Sequence, residues 1–308
     1  MSEPIIIGGC GSSGTTLLRK MLNAHKNIAC GPEISVFDRP ILYKSSLSWL
    51  YTMYRNLDFD PLDEEMLFAL RLQPSNFTYC GLHPDNNSKY YHEPAEIEKM
   101  FDRVDTPANF FDLYFREYAE KQGKTRWAEK TPNNLFCIDE VFKWYPEAHF
   151  IVVIRDGRDV VLSLTERRST HSIVAIFRWL VSAGAFIDVI EREPKYTERI
   201  SRVNYEDLVL DTERTLRKVC MRIGEKFDPA MLDYWKVRLP EDEQKDKPQD
   251  EIADPKVATP ADYGTQPVFA DSVGKWKDEK NMNPTLEKMM RLTMTDTLKK
   301  LGCEHWPE

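Results

Sequence analysis

IIIGGCGSSGTTLLRKML, residues 5–22, is the stretch that decides the fold. Its first three residues are apolar and β-branched, which is typical of a buried parallel strand. Glycine and serine residues follow, and from Thr15 to His25 the apolar side chains recur at helical spacing. The order strand, glycine-rich loop, helix predicts a loop whose backbone N–H groups converge on an anion at a helix N-terminus.

The loop at 9–16 approaches the spacing Gly-x-x-x-x-Gly-Lys-Ser/Thr of loops that bind nucleoside triphosphates, but Thr15 stands where that pattern has its lysine. That lysine reaches the β- and γ-phosphates, so its absence argues against an ATPase, a GTPase or an ordinary kinase. A glycine- and serine-rich turn is a weak signal by itself, and a plain strand-to-helix turn is the alternative. The preceding apolar strand favours the phosphate loop.

Two more strands are predicted at 149–154 and 199–204, and a helical pattern follows each. Strands that alternate with helices predict an α/β fold of the P-loop type, with three α/β/α layers around a central parallel sheet and an additional helical region at 38–123. We expect a single domain over 1–308. The acidic, proline-rich segment 240–267 is either a solvated loop or a lid over the site.

Composition narrows the class of protein further. The net charge of −8 argues against general nucleic-acid binding, which needs surplus Lys and Arg. The six cysteines are scattered without a Cys-x-x-Cys pair, so neither a zinc site nor a disulfide framework is indicated. No uncharged apolar stretch approaches the roughly 20 residues of a membrane span. We therefore expect a cytoplasmic protein without an integral membrane segment.

The segment from Gly11 to Arg19 resembles the 5′-phosphosulfate loop of sulfotransferases that use 3′-phosphoadenosine 5′-phosphosulfate (PAPS), in the branch that contains the tyrosylprotein sulfotransferases. The likeness runs from about residue 4 to 302 and is weak at 40–125 and in the acidic segment. The further blocks that match in order are Gly31-Pro32-Glu33, Glu129-Lys130-Thr131-Pro132, Arg155-Asp156-Gly157-Arg158 with Ser163, Tyr205-Glu206-Asp207-Leu208 and Val273-Gly274-Lys275-Trp276.

The resemblance implies that PAPS is the co-substrate and that its sulfuryl group moves to an acceptor hydroxyl. No metal is expected, since the sequence shows neither a lysine-bearing triphosphate loop nor an acidic metal cluster. It implies Glu33 as the base that takes the acceptor proton and Lys130 as the cation beside the leaving oxygen. Trp276 is expected to close over the nucleotide. The residues implied to bind the nucleotide are Gly11, Ser12, Ser13, Gly14, Thr15, Thr16, Arg155, Ser163, Arg167, Tyr205, Ser272 and Lys275.

Position 12 departs from the family pattern, because most relatives carry Arg or Lys where Ser12 stands. A serine donates a hydrogen bond but brings no charge, so the electrostatic demand on Lys130 is expected to be greater.

Each candidate residue also has a plainer interpretation. Glu33 is otherwise a solvated surface carboxylate, Lys130 a partner of Glu129, and Arg155 a partner of Asp156 or Asp159. Four histidines rank below Glu33 as candidate bases, since none falls in a matching block: His25, His83, His92 and His171.

Two other functions stay open at this point. One is a P-loop kinase or nucleotide hydrolase, and the other is a catalytically inactive nucleotide-binding protein, which Ser12 keeps in consideration. The expected partner is an acceptor molecule, either a small metabolite, a lipid, a glycan or a peptide tyrosine, with its pocket shaped by the aromatic-rich region 38–123. A homodimer is compatible with the same interpretation.

Overall fold

The computed structural model describes residues 3–38, 44–55, 92–192, 198–237 and 270–303, together with Tyr196, Val268 and Trp306. The segment 240–267, expected to be a loop or lid, lies outside the described residues. So do residues 56–91 of the expected helical region, including His83.

Five strands form one parallel sheet in the order β2-β3-β1-β4-β5. Because β1 lies between β3 and β4, the carboxyl ends of these three strands share one edge of the sheet. The strands are β1 (Ile5–Gly9), β2 (Ile28–Cys30), β3 (Arg126–Lys130), β4 (His149–Ile154) and β5 (Ile200–Asn204).

Ten described α-helices accompany the sheet, and they are α1 (Thr15–Ala24), α2 (Leu47–Arg55), α3 (Pro94–Phe101), α4 (Pro107–Lys121), α5 (Ile138–Trp144), α6 (Gly157–Arg168), α7 (Ser172–Arg192), α8 (Tyr205–Leu210), α9 (Thr212–Arg222) and α10 (Pro284–Lys300). Short 3₁₀ helices cover Pro132–Cys137, Pro229–Lys236, Ala270–Ser272 and Lys275–Lys277.

Helices cover both faces of the sheet. Alternate strand residues point to opposite faces, so one strand contributes side chains to both cores. Ile6 of β1 and Phe150 of β4 join one apolar core with α2–α7 and α10. Ile5 and Ile7 join the other, with α1, α8 and α9. The predicted three-layer α/β fold around a parallel sheet is therefore confirmed.

Two strands of this sheet escape the sequence pattern. β2 has only three residues. β3 reads Arg-Trp-Ala-Glu-Lys, and because its buried residues Glu129 and Lys130 are charged, it lacks the apolar run that is typical of a central parallel strand. The helical segment between β3 and β4 is divided, with a 3₁₀ segment at Pro132–Cys137 and α5 after it. The proline that opens this segment is compatible with only its first turn.

The described part of region 38–123 is helical, as predicted. Its aromatic side chains pack into the core: the rings of Phe101 and Phe110 stack at 4.2 Å, and those of Phe115 and Trp127 at 4.8 Å. The helices α2–α4 thus extend the core on one face of the sheet.

α7 is long and apolar enough, by length and composition, to cross a membrane over Ser172–Glu191. It includes Arg178 and Asp188, packs against α6 and α10, and has about a third of its most apolar window buried. A core helix meets the same criterion, so length and composition decide nothing here. The expected absence of a membrane segment is not confirmed.

His149, the first residue of β4, makes the stability depend on pH. Its Nε2 lies 2.7 Å from Ser201 Oγ, and burial, with Arg222, Arg126 and Arg199 nearby, lowers the pKa of His149 from 6.5 to about 4. Between pH 6.5 and about 4 the unfolded chain binds a proton at His149 that the folded chain does not, so the free energy of unfolding decreases as the pH is lowered. Between pH 7 and 5 we expect wild type to lose about 2 kcal/mol more than His149→Gln.

Urea unfolding of both proteins at the two pH values measures this difference, since all other titrating groups are shared. Equal losses in wild type and His149→Gln would contradict the assignment.

Candidate active site

The loop between β1 and α1 curls tightly at the sheet edge. Ser13 donates from its backbone N and from Oγ to Cys10 O, at 3.0 and 2.6 Å. Ser12 and Gly14 have φ of 67° and 96°, and Gly14 caps α1 without a capping bond from any described side chain. Left-handed residues that lead into a helix N-terminus turn N–H groups inward and form an anion-binding concavity. The predicted phosphate loop therefore has a backbone that fits a phosphate or sulfonate.

Gly14 is required by its neighbour as well as by its backbone. A Cβ at this position would lie 2.3 Å from Cδ2 of Tyr205, the first residue of α8. The Tyr205 hydroxyl and Ser272 Oγ are 2.5 Å apart. The tyrosine therefore joins the loop to the C-terminal segment, which the family resemblance also placed at the nucleotide.

Arg155 follows β4 directly and is almost fully buried. Its guanidinium donates from Nη1 to Ser12 O at 2.9 Å and from Nη2 to Ser272 O, and lies 4.4 Å from the centroid of the Tyr205 ring. Its Nε is buried without a hydrogen-bond partner among the described residues. A buried cation with an unused donor is suited to an anion.

The surface pairs considered for Arg155 do not form. Asp156 is held by Arg158, whose Nε and Nη2 donate to its carboxylate at 2.9 and 2.6 Å. Asp159 accepts from the backbone N of Gly274 and of Trp276, at 2.7 and 3.1 Å. Asp159 therefore fastens the C-terminal segment onto α6 and leaves Arg155 at the loop.

The other predicted nucleotide residues are divided between the site and the surface. Ser272 lies beside Arg155 and Tyr205, and Ser163 is buried on α6. Lys275 instead pairs with Glu166 at the surface, with Nζ 3.4 Å from the carboxylate. The side chain of Arg167 lies outside the part of the chain that is described.

Lys130 and Glu33 meet beside the phosphate loop. Lys130 ends β3 and is almost fully buried, and its Nζ contacts the Glu33 carboxylate and lies 3.3 Å from Thr16 Oγ1 on the first turn of α1. Burial lowers the pKa of Lys130, and the Glu33 carboxylate opposes that shift. The Glu33 side chain is 47% exposed, so an incoming molecule can reach its carboxylate.

Glu129, considered as a partner for Lys130, lies on the other side of the strand. Its carboxylate accepts from Thr131 Oγ1 at 2.6 Å and from Asn134 Nδ2, and burial raises its pKa to about 7. Thr131 Oγ1 also accepts from the backbone N of Ser35 at 3.2 Å. This chain of bonds connects the end of β3 to the segment that carries Glu33.

The position of Glu129 is a feature that the sequence interpretation missed. Consecutive strand residues point to opposite faces, so two neighbours at the end of β3 cannot both face the loop. The opposite orientation of Glu129 and Lys130 follows from the sequence only once β3 has been assigned as a strand.

A cleft of about 500 Å³ lies beside the phosphate loop and Glu33. The loop and Glu33 line it together with exposed apolar side chains, which come from the 3₁₀ segment after β3 and from α7. Within region 38–123, Asp38 alone among the described residues lines the cleft. The expected aromatic pocket from that region is therefore not seen in its described part. The apolar lining residues are Phe136, Leu164, Phe177 and Val181.

Three of the four histidines considered as bases are described, and all three lie outside the cleft. His25 Nε2 is 2.9 Å from Lys226 O, and His92 Nε2 is 2.9 Å from Tyr114 O. His171 Nδ1 accepts from Ile173 N at 3.3 Å, before the first turns of α7. Their contacts are structural, which favours Glu33 as the base.

The fold has close counterparts among solved structures. The sulfotransferase domain of the Synechococcus PCC 7002 olefin synthase aligns with a TM-score of 0.65 at 19% identity, over 99% of this chain and 95% of that one. The sulfotransferase domain from the curacin biosynthetic pathway aligns with a TM-score of 0.56 at 13% identity, over 98% of both chains. At such identities the likeness concerns the fold.

Sequence relatives are named for one activity. The chain is 26% identical to a Drosophila melanogaster protein-tyrosine sulfotransferase over 279 residues, which are 88% of this chain and 46% of the relative. It is 24% identical to the Danio rerio protein-tyrosine sulfotransferase 1 over 283 residues, 88% of this chain and 65% of the relative. The chain thus spans about half to two thirds of the length of these relatives.

The match to a family decides the assignment. The model of the sulfotransferase family matches residues 4–229, a range that includes the phosphate loop, Glu33, Lys130, Arg155 and Tyr205. These are the residues that the structure gathers at the carboxyl edge of the sheet, and the chain belongs to the sulfotransferase family.

Proposed function

We propose that this chain is a sulfotransferase that moves the sulfuryl group of PAPS onto an acceptor hydroxyl. One observation carries the proposal: Lys130 Nζ contacts the Glu33 carboxylate and lies 3.3 Å from Thr16 Oγ1. A candidate base, a buried cation and the phosphate loop therefore form one cluster. The names of the curated relatives support sulfuryl chemistry.

The loop and Arg155 fit the two charged ends of the donor nucleotide. The concave loop and the first turn of α1 would hold the 5′-phosphosulfate, and Arg155, with its unused Nε, would hold the 3′-phosphate. When bound, PAPS supplies the sulfuryl group. Tyr205 and Ser272 would help to orient the nucleotide because they pack directly on Arg155 and Gly14.

The two catalytic side chains have separate tasks. Glu33 takes the proton of the acceptor hydroxyl as the new oxygen–sulfur bond forms, and its half-exposed carboxylate is accessible to that hydroxyl. Lys130 stabilises the negative charge that develops on the leaving phosphate oxygen. A buried ammonium, already in place, does this better than water would, since no solvent has to reorganise.

The same proposal includes one domain over 1–308 and a cytoplasmic location. The two apolar cores share a single sheet, which supports one domain. Four described cysteines are free thiols, namely Cys30, Cys137, Cys220 and Cys303. Free thiols are typical of a reducing compartment.

The nucleotide preference tests the donor assignment. We expect wild type to bind 3′-phosphoadenosine 5′-phosphate more tightly than AMP, and Arg155→Ala to reduce this preference at least about tenfold, because a charged hydrogen bond is lost. Calorimetry measures both affinities, with Arg214→Ala as the control for loss of an exposed arginine. Equal binding of both nucleotides to wild type would overturn the 3′-phosphate site, and tighter binding of ATP with magnesium would favour a kinase.

The base assignment is tested by Glu33→Gln, which keeps the shape but removes basicity. We expect the rate of single-turnover transfer at saturating PAPS to fall about 10²–10⁴-fold, with nucleotide affinity nearly unchanged. Glu213→Gln is the matched control, since Glu213 is also about half exposed and paired with a cation, Arg217, but lies on α9. A near-normal rate in Glu33→Gln would contradict the assignment.

The charge at position 12 can be restored by Ser12→Arg. Lys130→Ala should slow single-turnover transfer by about 10²–10³-fold, and adding Ser12→Arg should recover part of that loss because a cation returns to the loop. Serine already holds φ at 67°, so the arginine adopts the same backbone without a new Cβ penalty. Glu33→Gln should gain nothing from Ser12→Arg, and equal recovery in both backgrounds would contradict the division of tasks.

A further inference from the structure

α7 has an apolar face that is not part of the core. Its buried face packs on α6 and α10, whereas Ile173, Val174, Phe177 and Val181 are exposed. Phe177 is the extreme case, at 65% exposure. An ordinary surface helix turns polar residues to solvent, so a second apolar stripe indicates a binding surface.

This stripe continues into the cleft of the active site. Phe177 and Val181 line the cleft that also contains Glu33 and the phosphate loop, and Phe136, from the 3₁₀ segment that follows Lys130, lines it too. Val181 lies eight residues after Ile173, so the stripe extends roughly 12 Å along the helix. The apolar surface is therefore longer than a single aromatic ring, and part of it shares a cavity with the candidate base.

The charges of the described lining favour an uncharged ligand. Glu33 and Asp38 are acidic, and Arg178 is the only basic side chain among the described residues that line the cleft. Lys130 contacts the Glu33 carboxylate from behind the described lining, and Arg178 and Asp38 carry opposite charges. The lining therefore has no surplus positive charge to attract an acidic peptide, and an uncharged ligand fits it better.

We propose that the acceptor is an elongated aliphatic alcohol, whose hydrocarbon chain lies along Phe136, Phe177 and Val181 and whose hydroxyl reaches Glu33. The proposal rests on the proposed sulfuryl transfer and adds the substrate class to it. The hydroxyl loses its proton to Glu33, its oxygen bonds to sulfur, and the bond between sulfur and the phosphate oxygen breaks.

Two measurements on the full chain test this substrate class. The first is direct binding of 1-pyrenebutanol, a fluorescent apolar alcohol, in the presence of 3′-phosphoadenosine 5′-phosphate. Phe177→Ala should weaken this binding about tenfold, which corresponds to roughly 55 Å² of lost apolar contact. Leu292→Ala is the matched control, because Leu292 is a 76% exposed apolar residue on α10 outside the described cleft lining, and it should leave binding unchanged.

The second measurement is transfer from PAPS to 1-butanol, 1-hexanol, 1-octanol and 1-decanol, with an acidic tyrosine peptide alongside. We expect kcat/KM to rise with chain length, by up to about fourfold per methylene. A rate independent of chain length, a higher kcat/KM for the peptide, or equal 1-pyrenebutanol binding in Phe177→Ala and Leu292→Ala would each overturn the proposal. Self-association abolished by Phe177→Ala, with unchanged alcohol binding, would assign the face to a second copy of the chain instead.

Nucleotide binding distinguishes a failure of the proposed sulfuryl transfer from a failure of the proposed alcohol class. If 3′-phosphoadenosine 5′-phosphate does not bind, the proposed sulfuryl transfer fails, while the alcohol site is still judged by 1-pyrenebutanol. If the nucleotide binds and the peptide is the better acceptor, the sulfuryl transfer stands and the alcohol class fails.

Discussion

The parallel order β3-β1-β4 is the constraint on which the site depends. Each of these strands delivers one functional group at its carboxyl end, and parallel pairing forces the three ends onto the same edge. Lys130 comes from β3, the phosphate loop from β1 and Arg155 from β4. An antiparallel partner at any of these places would turn one group to the opposite edge. The register of a few backbone hydrogen bonds thereby brings Lys130 to Thr16 and Arg155 to Ser12, across 114 and 143 residues of sequence.

At the end of β3, a candidate catalytic side chain and a structural one are neighbours in sequence. Lys130 faces the loop, and Glu129, its neighbour, faces the core. Burial raises the pKa of the Glu129 carboxyl to about 7. Thr131 Oγ1 donates to this carboxyl and accepts from the backbone N of Ser35. The segment that holds Glu33 is therefore anchored to the same strand that supplies Lys130. Base and cation keep their separation because β3 carries the cation and anchors the segment that holds the base.

Much of this arrangement could be predicted from the sequence, because its signals are local. The apolar run Ile5-Ile6-Ile7 and the strand at 149–154 are each recognisable from consecutive residues, and the positions of the loop and of Arg155 follow from where those strands end. β3 could not be found in this way, since it is central but carries buried charged residues. Without β3, the sequence left Lys130 free to pair with Glu129. The apolar wall of the cleft also escaped prediction, because Phe136 and Phe177 meet only after α7 has packed beside the sheet.

Arg155 holds the phosphate loop through the backbone carbonyl of Ser12 and makes no described bond to its side chain. The loop keeps its shape whatever residue stands there, provided that the residue tolerates the left-handed backbone. Evolution can therefore change the chemistry at position 12 in one mutational step, without rebuilding the nucleotide site around it. One substitution at position 12 can remove or restore a cation while selection continues to maintain the fold. The side chain at position 12 can therefore vary while the backbone of the phosphate loop stays the same.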